Sequence, residues 1–298
     1  MLRRVATKWL QSGRLQSGWL QSGWLQRLRS ALKIRTAERA AAGPAAEPCV
    51  SLGADLGADL GAGSGGGLAT DTAIEPAIGP ATDLETELRR AMDGARGLLV
   101  LVSPNPMHDT GGGQRSAQLA LEFLERGWAV LFLSHGEVTE TVELDLTFDA
   151  QRLVERPLGQ LAALGGRRIL VRWLARILQA EPVPVLGVVQ VPVPEALPLL
   201  RALREVGVAV YDCIDEWDSE LGWGWYRRGT ERRFARTADF GTASAPVLQT
   251  HLERLGASSV HALPNAFNPR IFDSQRTWPR PGDLPPGDAV LYVGSLWG

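Results

Sequence analysis

From residue 97 onward, apolar and polar positions follow two alternating periods. Leu98-Leu99-Val100-Leu101-Val102 is an unbroken apolar run, which predicts a strand buried on both faces, as in a parallel sheet. Gln114–Arg126 follows, with Ala117, Ala120, Leu121 and Leu124 on one helical face; Gly127 stops it. Trp128–Ser134 is the second predicted strand. Val142, Leu144, Leu146 and Phe148 alternate with polar residues, a half-buried strand pattern. Helices are predicted over Gln151–Leu164, Ile169–Ala180, Glu195–Val206, Thr230–Thr237 and Pro246–Leu255, with Pro198 tolerated in a first turn. Strands are predicted over Val185–Val191, Val208–Ile214, Ala238–Ala243 and Val260–Leu263. A short helix, Asp83–Met92, leads into this series. The alternation predicts a doubly wound α/β fold with a parallel sheet.

Residues 1–95 read differently. Trp9 to Leu28 carries the repeat WLQSG, RLQSG, WLQSG, WLQRL. Its spacing matches neither helix nor strand: successive leucines would spread around a helix, and Gly13, Gly18 and Gly23 would each cost it about 1 kcal/mol. Basic residues dominate to Arg39, with Glu38 the only acid. The leader reads as weakly ordered; its basic, Trp-containing character also suits weak contact with an anionic membrane surface. LGADLGADLGAG and the run Gly63-Ser64-Gly65-Gly66-Gly67 read as flexible linker. Residues 96–275 form the α/β domain. Residues 276–298 hold a Pro/Gly-rich connector and a fresh apolar strand, Ala289 to Gly294, expected to open a second domain whose remainder is absent.

The formal net charge of -2 gives no reason to expect nucleic acid as a partner. Cys49 and Cys213 form neither a metal spacing nor a disulfide framework, so a reducing, cytoplasmic setting is the default. No uninterrupted apolar span of about 20 residues occurs.

The chemistry gathers where predicted strands end. Gly111, Gly112 and Gly113 stand between the first strand and its helix, where bare amides and a helix start favour an anion, phosphate above all; a flexible turn is the plainer reading. Val208–Ile214 runs into Asp215, Glu216 and Trp217, Trp128–Ser134 into His135, and Val260–Leu263 into Pro264 and Asn265. Asp215 and Glu216 suit acceptor hydroxyls as well as a loop role. Trp217 is the best sugar-stacking candidate among Trp217, Trp223 and Trp225, although packing is the commoner role. His135 and His108 are lone histidines in loops. Asp212 reads as structural, Cys213 as strand filler, and the pairs Arg227-Arg228 and Arg232-Arg233 as a solvated helix face. His251 and His261 carry no signal.

Together SPNPMHDTGGGQRS, VYDCIDEW, ADFGTASAPVL, LPNAFNPRIF and LYVGSLWG resemble the group-1 (family 4-like) glycosyltransferases of GT-B architecture, from Gly97 to Gly298. The resemblance implies that the α/β unit is a Rossmann-like N-terminal domain holding the acceptor. It implies that Gly111, Gly112 and Gly113, with Gln114 and Arg115 behind them, lie near donor phosphate or acceptor. Pro264, Asn265 and Phe272 match the segment before the interdomain linker, where Asn265 fixes a turn. The implied partners are a nucleotide-sugar donor and a carbohydrate or lipid-linked acceptor, with no metal and no separate cofactor. The donor-gripping basic pair and paired glutamates have no match here, and Gln190-Val191-Pro192 stands where some relatives have a histidine. No catalytic residue is therefore assigned.

The expected function is that of the acceptor-side half of a sugar transferase, incomplete as it stands. The alternatives are a non-catalytic half that docks a separate donor-domain chain, and a nicotinamide-dependent oxidoreductase. Against the last, Ser116 stands at the third glycine position, and Ser103 to Gly111 is too long for a tight dinucleotide turn.

Overall fold

The computed structural model describes residues 80–107, 115–136, 148–180 and 182–266, with isolated positions 279, 282, 284 and 287. The leader, His108, Gly111–Gly113, Gln114, Phe272 and the strand expected over Ala289–Gly294 lie outside the described residues.

The elements run α1 (Pro80–Met92), β1 (Leu98–Ser103), α2 (Arg115–Glu125), β2 (Ala129–Ser134), β3 (Leu153–Pro157), α3 (Leu158–Ala162), α4 (Arg167–Ala180), β4 (Val185–Val189), α5 (Leu197–Val206), β5 (Val208–Cys213), α6 (Arg228–Thr237), β6 (Phe240–Ala243), α7 (Pro246–Leu255) and β7 (Val260–Ala262). The seven strands form one sheet in the order β3-β2-β1-β4-β5-β6-β7, and every pairing is parallel. The order reverses between β1 and β4, and the carboxyl ends of strands at such a switch point are where open α/β sheets place their ligands.

Burial on both faces explains the apolar runs. Leu98, Val100 and Val102 join one core with α1, α3, α4, α5, α6 and α7; Leu99 and Leu101 join the other with α2. Helix α1 contributes Leu84, Leu88, Ala91 and Met92 to the first core, so the folded unit takes in residues ahead of position 96. Among the described residues, no helix is long and apolar enough to cross a membrane.

One expectation is corrected. The segment expected to be helical over Gln151–Leu164 is a 3-10 turn (Ala150–Arg152), then β3, then the short α3. The residues Leu153-Val154-Glu155-Arg156-Pro157 pair with Val130 to Ser134 at the sheet edge. An edge strand has only one neighbour to satisfy, and it tolerates charge and proline. Glu155 accepts the Met107 amide at 2.8 Å, and Arg156 pairs with Glu87 on α1. Val142–Leu146 lie outside the described residues; Phe148, half-buried, belongs to no strand.

Candidate functional site

At or near the carboxyl ends of five strands, a polar side chain stands on the same face of the sheet. In β1, β2, β5 and β6, side chains alternate between the two cores, and Ser103, Ser134, Asp212 and Thr242 fall on the α2 side. Gln190, one residue past β4, continues that face and donates its amide to the Val102 carbonyl at 2.9 Å. All five are buried. The α2 face thus has an apolar floor under the helix body and a polar shelf at the carboxyl rim.

The start of α2 meets that shelf. Arg115 Nε donates to Asp212 Oδ2 at 2.8 Å and Nη2 to Oδ1 at 3.0 Å. Its Nη1 reaches the carbonyl of Leu263 at 2.9 Å and Asn265 Oδ1 at 3.2 Å. Thr242 Oγ1 donates to Asp212 Oδ1 at 2.6 Å, and Gln190 Nε2 to Oδ2 at 2.9 Å. Ser116 Oγ donates to Gln190 Oε1 at 2.6 Å, closing the chain of bonds. Burial pushes the Asp212 carboxyl up, but the Arg115 charge and the bonds from Arg115, Thr242 and Gln190 outweigh it and hold the group below its ordinary value.

This geometry gives Arg115 a definite part. Each guanidinium nitrogen is engaged by a protein acceptor, so the residue ties the glycine loop's helix to β5 and to the segment after β7. Asn265 serves as one of its acceptors; Pro264 is exposed beside it.

The second cluster lies under the loop after β5. Glu231 on α6 is fully buried, 0% exposed. Its carboxylate accepts from Tyr211 Oη at 2.9 Å and Tyr226 Oη at 2.8 Å, with His251 Nε2 of α7 at 2.9 Å. Cys213 Sγ stands 3.9 Å away. Burial, reinforced by nearby negative charge including Glu231, pushes the pKa of the Tyr211 hydroxyl and of the Cys213 thiol well above their usual values, so both groups hold their protons. Tyr226 moves the same way, through burial and its bond to Glu231. The three partners anchor α6, α7 and the loop to the sheet.

That loop carries the acceptor candidates. Asp215 and Glu216 are exposed, and partial burial raises the Asp215 carboxyl. Trp217 is 6% exposed and packs on Trp225, with ring centroids 5.4 Å apart. Trp225 also meets His135, exposed just past β2, at 5.9 Å. The loop therefore runs along the carboxyl rim from β5 towards β2, three strand spacings or roughly 14 Å. Trp217 is closed off as a stacking surface; Trp223 is the open indole, 89% exposed.

Arg115, Asn265, Asp215, Glu216, Trp217 and His135 are candidates legible in the sequence. Gln190, Thr242, Ser116 and the Glu231 group are not among them. A signal for the first two existed: the last residue on one period-two face of each apolar strand is polar. For Glu231 there was none, because RGTERRFART reads as a charged, solvated helix. Among the described residues, no group of three or more His, Cys, Asp or Glu is placed to hold a metal ion.

No family model matches the chain, and no curated protein matches it. Among solved structures, it is similar to phosphonopyruvate hydrolase in complex with oxalate and Mg++, at 13% identity and a TM-score of 0.24. That match covers 62% of this chain and 65% of the other, less than two thirds of that protein's length. A likeness of this size carries no argument about fold or function.

Proposed function

We propose that this sheet is the doubly wound, Rossmann-like acceptor domain of a GT-B glycosyltransferase acting in the cytoplasm. The transfer is of a sugar from a nucleotide donor to a hydroxyl of a carbohydrate or lipid-linked acceptor. The acceptor oxygen bonds to the anomeric carbon, the bond from that carbon to the donor phosphate breaks, and the nucleoside diphosphate leaves. In this reading Gly111–Gly113 and Gln114 face the donor phosphates, and Asp215, Glu216 and His135 face acceptor hydroxyls. Arg115 acts as a positioning residue. A basic leader resting on a membrane surface would suit a lipid-linked acceptor.

One observation carries the reading. Arg115, Asp212 and Asn265, one residue from each of the motifs SPNPMHDTGGGQRS, VYDCIDEW and LPNAFNPRIF, meet at one point of the carboxyl rim although they are far apart in sequence. Ligands of open α/β sheets bind at that rim.

The test is release of nucleoside diphosphate and appearance of a glycosylated product from a panel of UDP- and GDP-sugars. The chain is assayed alone and joined to whatever coding sequence follows Gly298. Transfer that falls at least about tenfold in a folded Arg115→Lys variant supports the reading. No transfer in either form, or transfer indifferent to Arg115, overturns it.

A further inference from the structure

The loop between β5 and α6 is built to hold one indole in water. Trp217 and Trp225 show that the local packing has room for tryptophan rings, yet Trp223 stays 89% exposed. The backbone under it is ordered by hydrogen bonds: Trp223 N to the Glu220 carbonyl at 3.1 Å, Trp225 N to the Gly222 carbonyl at 3.2 Å, and Tyr226 N to the same oxygen at 2.8 Å.

Glycines stand on either side for different reasons. A Cβ on Gly222 would lie 1.9 Å from the Trp217 carbonyl oxygen, and Gly224 has φ +88, a conformation that L side chains rarely adopt. Below the turn, Tyr226 is fastened to the buried Glu231. The ring is therefore displayed by a braced turn. An indole held open on a braced turn offers one broad, rigid apolar face with an N–H at its edge.

We propose that Trp223 is a carbohydrate-stacking platform, the residue that receives a neutral sugar ring of the acceptor. The inference rests on the transferase reading for its choice of ligand class. Charge on the same loop supports that choice. Asp215, Glu216, Asp218 and Glu220 are all exposed; carboxylates accept hydroxyl hydrogens, and the same four charges repel an anionic bilayer. An indole offers the apolar face of a sugar a broad, flat surface, while the hydroxyls on its edge remain free to bond.

The experiment uses the full chain with maltotriose, cellotriose and chitotriose as probes, read by saturation-transfer NMR and tryptophan fluorescence. At least one probe is expected to take up saturation and shift the emission. Trp223→Ala should weaken that binding at least tenfold with an unchanged melting temperature, since the ring packs on little; Trp223→Phe should restore part of it. Binding equal to wild type in Trp223→Ala overturns the proposal, as does failure of all three probes. Trp223-dependent attachment to phosphatidylglycerol vesicles without sugar contact overturns it too. The two readings separate cleanly. Sugar bound through Trp223 with no transfer by the extended chain refutes only the transferase. Transfer unaltered by Trp223→Ala refutes only the platform.

Discussion

Arg115 and Asp212 face each other through two parallel hydrogen bonds of 2.8 and 3.0 Å, joining the start of α2 to the end of β5. The arginine side chain is 14% exposed and the aspartate 3%. A paired charge this deep is retained only while its partner stays. Arg115→Ala should therefore cost about 3–5 kcal/mol, because it strands a buried carboxylate. The double variant Arg115→Met, Asp212→Leu should recover much of that loss. Urea denaturation of both variants measures it.

Acid should act through the same carboxylate. Asp212 titrates lower in the fold than in the unfolded chain, where the value is about 3.9. Its contribution is then whole above that value and disappears as pH falls through the folded one. Melting temperature should drop on acidification below about pH 4, and less steeply in Asp212→Asn. Parallel acid limbs in the two proteins would contradict this.

Glu231 should matter more than its place in a basic helix suggests. Glu231→Ala removes the acceptor for the Tyr211 hydroxyl, which has no route to water. A loss of about 1–3 kcal/mol is expected for a buried donor left unpaired. Tyr226→Phe, which leaves the carboxylate its other partners, should cost about 1 kcal/mol. Chemical denaturation checks the order of the two.

Cys213 should be inert. The thiol is fully buried and its acidity is suppressed by burial and by the Glu231 charge; the thiolate is the reactive form. Iodoacetamide at pH 8 should label Cys213 only under denaturing conditions, with peptide mass spectrometry as the readout. Labelling in the native chain would show that the Glu231 cluster opens.

The two glycines of the tryptophan turn should fail differently. Gly222→Ala forces the Trp217 carbonyl aside, and should red-shift emission by exposing the Trp217–Trp225 pair. Gly224→Ala carries only the backbone penalty of about 1–2 kcal/mol for a left-handed residue. Comparing the fluorescence of the two variants distinguishes steric from torsional damage.

Much of the architecture was legible because apolar runs such as Leu98–Val102 and Ala129–Leu133 suit strands covered on both sides. The bounds of Pro246–Leu255 are legible to the residue, from a proline at its start and Gly256 after its end. Leu153–Pro157 is not legible as a strand because an edge strand bears mixed polarity, and the pattern LVERPLGQLAAL fits a helix as well. The rim was partly legible: Arg115, Asp215 and Asn265 stand beside strand ends or glycines. Gln190 and Thr242 stand out as polar ends of apolar strand faces, but their shared bonds to Asp212 come only from three-dimensional register. Glu231 could not be foreseen, since its partners Tyr211, Tyr226 and His251 come from three other segments. That Trp217 is the buried indole and Trp223 the exposed one is not legible, because loop packing, unlike helix or strand packing, has no period to read.

The Arg115 bridge also bears on how the chain folds. Its bonds span 97 residues to Asp212 and 148 to the Leu263 carbonyl. Closing loops of that length has an entropic cost before any contact repays it, which slows assembly. The Arg115 bridge is therefore expected to close after the sheet's centre has formed, once β5 and the segment after β7 have docked. A nascent polypeptide halted before residue 263 would possess the paired centre of the sheet yet lack two of the acceptors, the Leu263 carbonyl and Asn265, that fix the start of α2.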